Sequence, residues 1–138
     1  MSGASAPVTA TVEAARHVTP DALPAAIAAL QADGFRVARI DCGTEDGLIA
    51  DLAVALNWQD NLGFTPQGLN LDALYDALHH EPNATRPRLA LVWEDFAALQ
   101  ARDPRRAAGV PDVIADRVRD LDDKRSKGTD LRLTALLV

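Results

Sequence analysis

The sequence predicts an α/β fold, with a small three-stranded parallel β-sheet covered by helices. Three observations predict it. "RLALVW" (88–93) is an unbroken apolar run, the pattern of a strand buried on both faces. Helix-periodic segments with capping residues separate it from two further strand-like stretches, "FRVARIDC" (35–42) and "LRLTALLV" (131–138). Strands joined through helical crossovers lie parallel and connect right-handedly. The expected order is α-β-α-α-β-α-α-β, in a chain of 138 residues, a one-domain length.

Residues 1–18 are small and polar and are expected to form a flexible N-terminal tail. Thr19-Pro20-Asp21 opens a helix over 19–34, with Thr as N-cap, Pro at the first position and Asp in the first turn. Leu23, Ile27 and Leu30 give it a buried stripe, and Gly34 stops it. After the first strand, Thr44-Glu45-Asp46 starts a second helix, with Leu48, Ile49, Leu52 and Leu56 inward. "NWQDNLGFTPQG" (57–68) reads as a loop containing Gly63, Pro66 and Gly68. Asn70 then caps a third helix whose stripe is Leu71, Leu74, Tyr75 and Leu78. A short helix follows in "EDFAALQAR" (94–102). A longer one follows in "VPDVIADRVRDLDDKRSKG" (110–128), with Val110, Ile114, Val118 and Leu121 inward and Gly128 as its stop.

The net charge is −6, and its distribution is uneven. From Ile40 to Thr85 there is no lysine or arginine, while Asp41, Glu45, Asp46, Asp51, Asp60, Asp72, Asp76 and Glu81 all fall there. Phosphate contacts need clustered cations, so this acidic half argues against nucleic acid as the direct partner; it favours a basic partner, or simply a solvated acidic surface. The single cysteine excludes a disulfide framework. The opening "MSGASAPVTA" has no charged n-region or apolar h-region, and no apolar run is long enough for a membrane span. The expectation is a cytoplasmic monomer with no membrane contact.

Candidate chemistry is sparse. His79 and His80 are adjacent on a helix and point about 100° apart, so one metal ion cannot easily take both; no metal site is expected. Histidines in a last helical turn suit the macrodipole. Cys42 reads as a buried strand cysteine, because its neighbours Asp41, Glu45 and Asp46 would raise its pKa. Asp72 and Asp76 could form an acid/base dyad for glycoside hydrolysis, but nothing in so short a chain suggests a sugar cleft. No P-loop, GxGxxG or GxSxG occurs. No enzyme activity, catalytic residue or cofactor is expected.

The interaction reading is stronger. Asp72 and Asp76 lie four apart on the helix face opposite the stripe, with no lysine or arginine partner, and such a pair repels by roughly 0.2–0.5 kcal/mol. "NLDALYDAL" (70–78), "LALVWEDF" (89–96) and "GTDLRLTALL" (128–137) resemble the barstar family, intracellular inhibitors of the ribonuclease barnase. The resemblance covers residues 35–138 and leaves 19–34 as an additional N-terminal helix. It implies a three-stranded parallel sheet, no cofactor and no catalysis. It also implies that Asp76 is the main inhibitory carboxylate, Asp72 the one a turn earlier, and Tyr75 the aromatic beside them. Asn70 at the head of that motif and Gly68 just before it complete the expected partner-binding set. An acid late in the long helix falls near Asp123, with Asp120 and Asp122 as alternatives. The family carries two tyrosines before the helix where this chain has Pro66-Gln67, which leaves Phe64 as the nearby aromatic. The implied partner is a basic ribonuclease, whose cationic site would take carboxylates where RNA phosphates sit; the alternative is another basic protein bound in a regulatory role. The residues themselves leave other uses open. Tyr75 shares the apolar stripe, Asp72 suits a helix N-terminus, and Asp123 lies in the charge run "RDLDDKR".

Overall fold

The structure, a computed structural model, describes residues 15–138. Strand β1 (Ala15–His17) leads through a 3-10 turn (Pro20–Ala22) into α1 (Leu23–Ala32) and β2 (Arg36–Asp41). Then come α2 (Glu45–Ala55), α3 (Trp58–Leu62), α4 (Leu71–Leu78), β3 (Arg88–Glu94), α5 (Phe96–Arg102), α6 (Pro104–Ser126) and β4 (Arg132–Leu137). All pairings are parallel, in the order β1-β4-β3-β2.

The sheet therefore has four strands, not the three expected. The fourth, Ala15–His17, lies in the stretch read as tail and pairs with Ala135–Leu137. Three residues show no usable period, so only the neighbouring edge of β4 identifies them as a strand. The rest of the expected tail, residues 1–14, lies outside the described residues.

Chain direction explains the layers. The path from β1 to β2 crosses the sheet one way, and β2, β3 and β4 return the other way. Right-handed crossovers in opposite directions place their helices on opposite faces. Leu23 of α1 accordingly packs with Val92 and Leu136, with Ile27 and Leu30 beside it. Ile40, Leu89, Leu91, Trp93, Leu133, Ala135 and Leu137 form the main core with the later helices. Alternate residues of β3 and β4 thus serve two different cores, as strand geometry requires.

Capping follows the sequence. Thr44 Oγ1 accepts from Gly47 N–H (3.0 Å) to start α2. Gly34 ends the α1 segment at φ +87°, where an L side chain would be strained. Two helix assignments differ from expectation. Residues 58–62, read as loop, form α3, because Trp58 is fully buried and left-handed turns at Asn57 and Gly63 bracket the helix. The long helix begins at Pro104 rather than Val110, with Asp103 accepting from Arg106 N–H (3.1 Å) as its cap. Pro111 lies inside it, and burial of Ala107 and Val110 offsets the backbone bond that proline forfeits.

Candidate functional site

The acidic helix α4 is short and sharply two-sided. Ala73, Leu74, Ala77 and Leu78 are buried, and Asp72, Tyr75, Asp76, His79 and His80 are exposed. Asn70 fixes its start: its Oδ1 accepts from Asp72 N–H (2.9 Å) and Ala73 N–H (3.2 Å). Tyr75 keeps 39% of its surface exposed and packs its ring on His79, centroids 4.5 Å apart. Phe64 is 55% exposed in the loop before the helix, whereas Pro66 is buried.

The charges divide into two groups. Among the described residues, Asp72 and Asp76 have no ion-pair partner. Many acids of the second half do, although Asp95 and Asp112 have none among the described residues: Asp103 pairs with Arg106 (2.6 Å), Asp130 with Arg88 (2.9 Å), Asp120 with Arg117 (2.5 Å) and Asp122 with Arg125. Asp123 meets Lys127 at 3.0 Å, so it does not share the unpartnered state of Asp72 and Asp76. That pair is exposed and worth at most about 1 kcal/mol. Two acids of the lysine- and arginine-free stretch also leave the surface field. Glu81 is buried, accepting from Asn57 (3.1 Å) and Asn83 (3.3 Å) near Arg36 (3.7 Å). Glu45 is engaged by Arg102 (3.2 Å) and Arg106 (2.9 Å).

Because the Asp72 side chain makes no hydrogen bond or ion pair among the described residues, Asp72→Ala should leave stability within about 0.5 kcal/mol. The relieved repulsion and the lost favourable position near the helix N-terminus are of similar size. Urea unfolding measures this, and a larger loss would give Asp72 a structural role.

Sequence reasoning missed the residues that hold α4 in place. Glu45 Oε2 accepts from Leu69 N–H at 2.6 Å, and Arg106 Nη1 donates to Leu69 O at 2.7 Å. Burial would raise the Glu45 pKa, but the Leu69 N–H and the Arg106 and Arg102 guanidiniums outweigh it and hold the carboxyl below its ordinary value. A carboxyl lowered by folding stabilises the fold fully above the unfolded-chain value, about 4.3, and that contribution fades as pH falls through the lower folded value. Glu45→Gln should therefore flatten the acid limb of a stability–pH curve; an unchanged acid limb would count against this coupling. At the other end of α4, Arg117 is buried and donates to His79 O (3.1 Å) and to Asp120. Burial lowers its pKa, and the Asp120 carboxylate opposes this. Its signal was present, since position 117 falls on the stripe of Ile114, Val118 and Leu121. The approach of Arg106 to Glu45 has no such signal.

Other candidates hold little chemistry. Cys42 is buried, and burial with the Asp41 carboxylate pushes its thiol up to about 12. Among the described residues no three His, Cys, Asp or Glu side chains are placed to share a metal ion, and no helix is long and apolar enough to cross a membrane.

A parallel α/β domain that carries two adjacent carboxylates without ion-pair partners among the described residues, on a short helix edged by exposed aromatics, has the form of a protein-recognition module. The family model described as "Barstar (barnase inhibitor)" matches residues 34–134, most of the chain, and the chain belongs to the barstar family. Searches of curated proteins and of solved structures returned no match. The matched residues begin as α1 ends, so β1 and α1 lie outside the match.

Proposed function

We propose that this protein inhibits a basic ribonuclease by placing the Asp72/Asp76 face of α4 over its cationic active site, flanked by Tyr75, Phe64 and Asp123. One observation supports the reading: on α4, which lies within the residues matched to the family, both carboxylates are exposed and have no ion-pair partner among the described residues. An RNA-cleaving site gathers arginine and lysine to hold phosphates, and carboxylates meet the same donors in the same paired geometry. Close charge pairs across such an interface couple by about 1.5–7 kcal/mol, against an internal repulsion of a few tenths; the measured example behind that range is barnase with barstar itself.

The test is inhibition of barnase, and of basic ribonucleases from the producing organism, by the purified protein. Stoichiometric inhibition supports the reading; no inhibition of any of them would refute it. The association rate should fall by roughly tenfold or more as salt is raised, because steering by opposite charge is screened. A rate indifferent to salt would point to an apolar interface instead.

A second reading has its own observation. Pro66 is buried and Gln67 is polar where the family places aromatic contacts, so Phe64 is the ring that the loop presents. That change favours the same acidic face binding a different basic protein. A captured basic partner without nuclease activity would decide for it.

A further inference from the structure

We propose that Glu45 and Arg106 are positioning residues that hold the leading end of the acidic helix in one pose before any partner arrives. This deepens the inhibitory reading of α4 and rests on it for its purpose. Four consecutive residues lead into the helix. Gly68 passes so close to the ion pair that a Cβ there would sit 3.3 Å from Glu45 Oε2. Leu69 has both backbone groups engaged, N–H by Glu45 and C=O by Arg106. Asn70 caps the helix with its side chain. Leu71 lies directly over Gly109 of α6, where any Cβ would run into its Cδ1. Asp72 comes next.

The two clamping side chains come from different helices, α2 and α6, and are bonded to each other at 2.9 Å. Asp103 holds Arg106 Nε at 2.6 Å, and Arg102 supports Glu45 at 3.2 Å while donating to Cys42 O. The guanidinium is thus committed in three directions, and the carboxylate accepts on both oxygens. A backbone amide held by such a network has little freedom. A loop ordered in the free protein need not be ordered on binding, which lowers the entropy lost there. The part of α6 ahead of Val110 is what carries Arg106 and Gly109 to this place.

The experiment is amide hydrogen exchange on the full, unbound chain, followed by barnase binding kinetics. In Glu45→Ala/Arg106→Ala, which leaves net charge unchanged, the amides of Leu69, Asp72 and Ala73 should exchange about tenfold faster or more, on the scale of a lost backbone hydrogen bond. Amides of β3 report global stability and serve as the reference. The exchanged pair, Glu45→Arg/Arg106→Glu, retains opposite charges on α2 and α6 but turns a guanidinium toward Leu69 N–H and a carboxylate toward Leu69 O. It should not restore protection, because Leu69 then meets the wrong group on each side. Unchanged exchange in the double alanine variant, or recovery in the exchanged pair, overturns the proposal. With barnase, the double alanine variant should dissociate about tenfold faster with its association rate unchanged. Faster exchange without faster dissociation would deny the clamp a role in recognition. If the unaltered chain does not bind barnase, that outcome counts against barnase as the partner, and exchange at Leu69 alone decides whether the clamp holds.

Discussion

Asp76→Ala is expected to weaken ribonuclease binding by about 2 kcal/mol or more, roughly thirtyfold in affinity, the scale of an interface hot spot. The side chain is exposed and has no partner among the described residues, so its removal takes nothing from the fold. On the proposed reading, the loss reports the cation that Asp76 would meet in the partner, which the substitution would leave desolvated and unpaired. Asp123→Ala supplies the internal contrast. Its carboxylate already meets Lys127, so its contribution to an interface should be the smaller of the two. Isothermal titration against the inhibited nuclease measures both. An unaltered affinity in Asp76→Ala removes Asp76 from the site, and an equal loss in Asp123→Ala would place the two acids on the same footing.

Trp58→Ala should cost about 3–5 kcal/mol, the usual range for deleting a fully buried tryptophan side chain. Against a typical total of about 5–15 kcal/mol, that is a large fraction of the fold's stability. It should lower the melting temperature by about 10–20 °C for a chain of this size. Trp58 is fully buried and belongs to the main core with Leu56 and Leu74. Were residues 57–68 the loop that their polar composition suggests, the same change would cost little. Thermal unfolding followed by circular dichroism separates the outcomes, and a shift of a degree or two would return α3 to the loop reading. Because α3 packs against α4, the same variant should also loosen the acidic helix.

How far the sequence reaches can be argued element by element. The acidic helix was legible in its place, its cap and its outward aspartates, but not in its buried face: Ala73, Leu74, Ala77 and Leu78 are buried, while Tyr75, expected on the inward stripe, is exposed and Leu71 only half-buried. Its Asn70 cap and its outward aspartates are set within a dozen consecutive residues, where periodicity and capping act. The strand "RLALVW" was legible for the same reason, since burial on both faces leaves an unbroken apolar run. α3 was not, because five residues show no period and its reason to exist is a pocket for Trp58 made by other segments. The first turns of α6 were hidden by Pro111, which marks a helix start when read locally.

By itself, then, the sequence determined the parallel α/β class, the family, the place of the acidic helix and the isolation of its charges in a stretch without lysine or arginine. These follow from short-range spacing and composition. Only the tertiary structure decided that Ala15–His17 completes a fourth strand, that Glu81 is buried, that Asp123 faces Lys127, and that Glu45 and Arg106 meet across Leu69. Each of these except the near pair Asp123 and Lys127 joins residues or surfaces far apart in the chain. Such pairings arise from the packing of whole elements, which local pattern does not encode.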